Sequence, residues 1–215
     1  MSNLIKPIGL ALALMGLSAC ASLSGTQTAR TLKKGETESA FGGGQYSSGG
    51  LTESLQGGST EKFSSPYLEY SYRQGLSDNL DMGVKLTFIG SALADVKYNL
   101  FANDKWAVSV GGGLGYMSLK VGDVETSIID VLLPLYTSYD ISDKWAIYFI
   151  PKMIHRSINS NNLSGTSVLT GANLGLKWGK KTGVMFEVGQ FNEKDSSTPI
   201  SQAHLAWFWS PKAWF

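Results

Sequence analysis

Apolar and polar residues alternate one by one along much of this chain, and that period decides its architecture. Met82, Val84, Leu86 and Phe88 share one face of a strand, while Asp81, Gly83, Lys85 and Thr87 share the other. Ala94, Val96, Tyr98 and Leu100 oppose Asp95, Lys97 and Asn99 in the same way. Ala172, Leu174, Leu176 and Trp178 oppose Gly171, Asn173, Gly175 and Lys177. Successive residues of a strand point to opposite sides, so each segment gains one apolar face and one polar or small face. From Glu38 onward the chain divides into roughly ten such segments, near the length of a tilted membrane-crossing strand. They are Glu38–Ser48, Ser64–Arg73, Leu80–Ile89, Leu93–Phe101, Trp106–Leu119, Ser127–Asp140, Trp145–Ser157, Ser167–Trp178, Gly183–Phe191 and Gln202–Trp209.

The connections differ in length from one side to the other. Gly75–Asn79, Ala102–Lys105, Ser142–Lys144 and Gly179–Thr182 are tight, whereas Gly49–Lys62, Val121–Thr126, Ile158–Thr166 and Asn192–Ser201 are longer and polar. Gly90–Ala92 is the short exception in the second set. Asn103-Asp104-Lys105-Trp106-Ala107 and Ser142-Asp143-Lys144-Trp145-Ala146 are near-copies. Asp and Asn suit tight turns because their side chains bond the local backbone. Trp106 and Trp145 directly after these turns, Trp178 before the fourth, and Trp207 and Trp209 near the end form an aromatic girdle. Such rings sit at a membrane–water interface. A water-soluble sandwich would put polar residues on its outward face, where this chain has aromatics. The expected fold is a transmembrane antiparallel β-barrel of about ten strands over residues 37–215, with eight as the alternative count. An even count puts both termini on the short-turn side.

Residues 37–215 resemble the small bacterial outer-membrane β-barrel proteins as a class. The ending Trp207-Phe208-Trp209-Ser210-Pro211-Lys212-Ala213-Trp214-Phe215 resembles the C-terminal signal read by the barrel-assembly machinery, with Pro211 as its departure. Pro211 cannot donate to a ladder and marks the end of the paired strand. At the other end, Lys6 precedes the apolar run from Pro7 to Leu17, the order of a secretory signal. Leu17-Ser18-Ala19-Cys20 resembles the lipobox of bacterial lipoproteins. That resemblance implies a signal peptide over 1–19, a lipid on Cys20, and a periplasmic tether over 20–36. It implies an outer-membrane location with both termini periplasmic. Cys20 is the single cysteine, so no internal disulfide competes for it.

Acidic and basic residues balance to a formal net charge of +1, so neither nucleic acid nor a polybasic membrane patch is indicated. The expected partners are outer-membrane lipids and the assembly machinery, the expected state is a monomer, and no cofactor or metal is expected. Extending the strand phases gives an inward set of Glu69, Arg73, Asp81, Lys85, Asp95, Lys97, Asp130, Lys152, Lys177 and Glu187, with His204 near the end. Buried unpaired charge is costly, so a balanced set in a narrow lumen forms paired networks. The expected function is structural or surface-interacting, with a largely plugged lumen. A narrow channel for small solutes is the alternative. A third reading starts from His155 and Ser157, whose spacing before Asn159, Asn161 and Asn162 resembles that of outer-membrane lipid A deacylases. Such an enzyme needs a carboxylate behind its His, and no acid occurs between Ser157 and Glu187. The two residues otherwise mark a strand leaving the membrane. Gly111-Gly112-Gly113-Leu114-Gly115 lacks the Lys-Ser/Thr ending and the helix of a phosphate loop, and reads as strand, as does Gly42-Gly43-Gly44.

Overall fold

The computed structural model describes residues 23–48, 64–88, 90–121, 124–160, 163–194 and 198–210. The signal peptide, Cys20, the Gly49–Lys62 loop and Phe215 lie outside the described residues. Ten strands follow in order: β1 (Thr37–Ser48), β2 (Ser64–Ser77), β3 (Leu80–Thr87), β4 (Ser91–Ala102), β5 (Trp106–Val121), β6 (Val124–Asp140), β7 (Trp145–Ser160), β8 (Leu163–Gly179), β9 (Thr182–Glu193) and β10 (Ile200–Trp209). Each pairs antiparallel with its sequence neighbours, and β1 pairs with β10 from Ser39↔Trp209 to Ser48↔Ile200, closing the barrel. Gly42–Gly44 and Gly111–Gly115 are strand residues of β1 and β5.

The two-residue period becomes two surfaces. Met82, Leu86, Val96, Leu100, Leu114, Leu133, Phe149, Leu174, Phe186 and Leu205 all point outward and are exposed. An apolar belt of this extent exceeds the patches that soluble monomers leave in water and fits a hydrocarbon layer. Trp106, Trp145, Trp178 and Trp207 are exposed on the same outer surface, and Trp209 is half-buried. All five lie near the tight-turn ends of their strands, where Trp106 packs on Tyr139, Trp145 on Trp178, and Trp207 on Trp209.

The turn chemistry has a direct cause. Asn103 Oδ1 accepts hydrogen bonds from the backbone N–H groups of Lys105 at 2.9 Å and Trp106 at 2.7 Å, folding the β4–β5 turn on itself. Ser142 Oγ accepts one from Lys144 at 3.3 Å in the near-copy between β6 and β7.

The opposite end differs from the expectation in two places. Val121–Thr126 and Ile158–Thr166 were expected as polar loops, but the ladder runs through most of each. β5 and β6 pair out to Val121↔Val124, and β7 and β8 out to Ser160↔Leu163. The four strands β5 to β8 are 16, 17, 16 and 17 residues long, longer than the 8 to 14 of the others. They therefore carry two hairpins beyond the height of the shorter wall.

The segment before β1 corrects the expected tether. Lys33 to Glu36 make a tight turn, with Glu36 N donating to Lys33 O at 2.9 Å and Gly35 at φ 81°. An L side chain is strained there, so Gly35 suits the reversal. The turn is pinned to β2 by Gly35 N to Gly75 O at 3.0 Å and Gly75 N to Glu36 O at 2.9 Å. A Cβ on Gly75 would collide with the carbonyls of Lys33 and Leu32. A register shift lies between Gly75 and Ser77. Upstream of this turn the chain does not hang below the barrel. It doubles back and runs inside.

Candidate functional site

The lumen holds residues 23–32, bonded to the wall from the tight-turn rim inward. At the rim, Arg30 Nε meets Asp140 Oδ2 at 2.5 Å, and Arg30 Nη2 donates to Asn103 O at 2.7 Å. Thr31 Oγ1 donates to Asp78 O at 3.0 Å, and Leu32 N donates to Asp81 Oδ2 at 3.0 Å. Further in, Lys97 Nζ donates to the carbonyls of Thr28 at 3.0 Å and Arg30 at 2.9 Å, and to Gln27 Oε1 at 3.1 Å. Ala29 N donates to Ser138 Oγ at 3.2 Å, and Gln27 Nε2 to Tyr136 OH at 3.1 Å.

The innermost rung is the most heavily charged. Glu187 accepts from Gly25 N and Thr26 N, each at 2.7 Å, and from Gln202 Nε2 at 2.8 Å. Ser24 Oγ donates to Glu69 Oε1 at 2.7 Å. Lys85 Nζ donates to Ser24 O at 2.8 Å, Lys152 Nζ to Leu23 O at 2.8 Å, and Asn173 Nδ2 to Leu23 O at 2.7 Å. The Leu23 side chain then packs into an apolar cluster with Tyr46, Tyr67, Leu93, Leu132, Ile154, Leu169 and Phe191.

Most of these contacts grip the segment's backbone rather than its side chains. A chain without secondary structure inside a closed barrel carries N–H and C=O groups that must find partners. Here lysine ammonium groups meet carbonyls and carboxylates meet N–H groups. Charge-assisted bonds of this kind are shorter and stronger than neutral ones. The segment thereby solves a problem for the wall as well, because it partners charges that would otherwise face a narrow lumen.

The structure places the inward set as follows. Glu69, Arg73, Asp81, Lys85, Asp95, Lys97, Asp130, Lys152 and Glu187 are buried in the interior. Lys177 is partly buried, bonding Glu38 at 2.7 Å with its ammonium 4.1 Å from the Phe208 ring centre. Arg73 bridges Asp81 and Asp95. Lys97 lies 3.5 Å from Asp81, and Lys85 lies 3.5 Å from Glu69. His204 is buried, with Nδ1 2.8 Å from Tyr67 OH and its ring stacked on the same tyrosine. Sequence phase had left Asp130 without a partner. It is held by Arg156, whose Nε and Nη2 each donate at 2.9 Å to one of its oxygens. Arg156 shares the phase of Lys152, so the period carried this signal, but it was passed over as part of the strand exit.

His155 and Ser157 are exposed on the outer face of β7. The nearest acid on the neighbouring strand, Asp130, faces the other side and is committed to Arg156. The geometry therefore assembles no His–carboxylate pair at this position. Among the described residues, no group of His, Cys, Asp or Glu could hold a metal ion.

Below the segment, at the tight-turn end, a cup of about 750 Å³ opens between Arg30, Glu38, Lys97, Asp140, Lys144 and Lys177, among others. Wall, girdle and filled lumen together define a closed ten-stranded antiparallel barrel of the outer-membrane type. Solved structures of bacterial outer-membrane β-barrels share it. The COG4313 outer-membrane channel from Pseudomonas putida F1 aligns with a TM-score of 0.56 and 10% identity, over 89% of this chain and 100% of that one. The attachment invasion locus protein Ail of Yersinia pestis aligns at 0.41 and 11%, over 83% and 100%. The outer-membrane protease OmpT of Escherichia coli aligns at 0.44 and 10%, over 85% and 98%. No protein-family model matches the sequence, nor does any curated protein.

Proposed function

We propose that this chain is an outer-membrane β-barrel lipoprotein closed by its own N-terminal segment, with a structural or surface-interaction role. The observation that supports closure is the run of bonds from Arg30 at the rim to Leu23 deep in the lumen. In this reading the short turns face the periplasm, Cys20 carries the lipid, and the strand ending toward Phe215 is read by the assembly machinery. The two hairpins of β5–β6 and β7–β8, together with the Gly49–Lys62 stretch, form the outward surface that meets partners. A narrow channel is the second reading, favoured by the cup below the segment. It would require residues 23–32 to leave.

Single-channel recording on the refolded protein separates the two, beside a variant lacking residues 23–32 but keeping the Lys33–Glu36 turn. A folded barrel shift on a gel controls for assembly. The full chain is expected to be silent and the deletion to give discrete conductance steps. Steps from the full chain would replace the closed reading with the channel.

A further inference from the structure

The direction of the lumen segment carries a consequence for where the chain begins its path. Its partners climb β6 in order: Arg30 at Asp140, Ala29 at Ser138, Gln27 at Tyr136, and Leu23 beside Leu132. Asp140 is the last residue of β6, at the tight-turn rim. From there to Leu132 is ~26 Å along the strand at ~3.3 Å per residue. A strand tilt of ~40° reduces that to ~20 Å of height, against an apolar band ~25 Å tall in barrels of this type. On β1, Leu23 packs against Tyr46, two positions before the strand ends at Ser48. Leu23 therefore stands near the loop end of the wall.

A return from that level toward the turn rim has no room. The lumen below Leu23 is taken by the segment itself and by the buried side chains that bind it. The cavity beside Gly25 and Thr26 offers about 20 Å³, too little for a second pass of chain. The wall offers no side exit either, because the β1–β10 seam is paired along its whole length. We propose that the chain crosses the barrel an eleventh time through its own lumen, so that the residues preceding Leu23 leave at the loop end, opposite Trp209. Only Ala21 and Ser22 separate Leu23 from Cys20, a reach of at most ~10 Å. A lipid on Cys20 then enters the leaflet at the loop end. The even strand count alone would have put it in the other leaflet. Which leaflet faces the cell exterior rests on the orientation proposed above; the crossing does not.

The test uses the full chain assembled in an outer membrane. Three versions each carry one epitope: between Ser22 and Leu23, within residues 49–62, or in the Ser142–Lys144 turn. Antibody labelling is compared on intact and permeabilised cells. The first two epitopes are expected to label intact cells, and the turn epitope only permeabilised ones. An N-terminal epitope that follows the turn epitope overturns the proposal. If the loop epitope is hidden and the turn epitope exposed, the orientation fails, while an N-terminal epitope that still follows the loop upholds the crossing. Threading itself is read without an insertion from two cysteine pairs, Ala29→Cys with Ser138→Cys and Ser24→Cys with Glu69→Cys. Both are expected to crosslink in the folded barrel. Failure of both in a barrel that shows the folded gel shift overturns the crossing.

Discussion

Two parts of the lumen handle buried charge in opposite ways. On β6 and β7, Asp130 and Arg156 satisfy each other through two bonds of 2.9 Å between facing strands. Deeper toward the turn end, Glu187 and Lys152 bond the backbone of residues 23–26, and Glu69 and Lys85 meet both each other and that backbone. The first arrangement belongs to the wall. The second makes the wall depend on a segment that reaches it only after the Lys33–Glu36 turn has closed. A barrel can thus be rigidified without being closed, or closed by a part that is held by a few charged groups. Stability and closure are separable properties of the same lumen.

That separation can be broken by substitution. Asp130→Asn removes the charge that partners a buried guanidinium and puts an amide donor toward it. Breaking one side of a buried pair costs about 3–5 kcal/mol. Denaturant unfolding of the refolded protein should show a loss of that order, and bilayer recordings should stay silent because residues 23–32 are untouched. Conductance from Asp130→Asn would show that the pair also closes the lumen.

Glu187→Gln should act the other way round. The carboxylate accepts from Gly25 N, Thr26 N and Gln202 Nε2 at once, and a glutamine turns one acceptor into a donor facing donors. Leaving a buried donor unsatisfied costs about 1–3 kcal/mol, a smaller stability loss than at Asp130. The same change loosens the innermost rung of the segment, so brief openings are expected where Asp130→Asn shows none. A silent Glu187→Gln with reduced stability would mean that the other rungs hold the segment without it.

The two parts also differ in how far the sequence disclosed them. The barrel was legible because membrane and lumen impose opposite chemistry on alternate residues, as in Asp81 to Phe88. The wall charges were legible by the same phase. Beyond the apolar band both faces of a strand meet water, and the alternation fades. Thr126, Ser127 and Ser160 therefore read as loop although they lie in β6 and β7. The lumen segment was illegible for a different reason. Ser24, Gly25, Thr26, Gln27 and Thr28 are small or polar and have no period, and the wall grips mainly their backbone. A reading of side-chain patterns cannot see recognition that runs through carbonyls and N–H groups. The surplus of inward charges was the indirect sign, since a narrow lumen full of ions needs something to bind.

The weakest charge contact sets the lower end of the comparison. Lys180 Nζ donates to Asp143 Oδ2 at 2.6 Å between two tight turns, with both side chains exposed. The hydrogen bond from Lys180, and then its charge, hold the Asp143 carboxyl below its ordinary value. A carboxyl lowered in the folded state adds stability above its unfolded pKa and loses it as pH falls through the folded one. Any contribution is thus complete at neutral pH and lost only under acid. Water and salt screen such exposed pairs, and many contribute nothing measurable. Asp143→Asn should leave the unfolding midpoint at neutral pH unchanged within error. At acid pH the variant and the parent should converge, and neither should conduct. A clear loss at neutral pH would mean that the turn end is held by its rim charges as firmly as the lumen is by its buried ones.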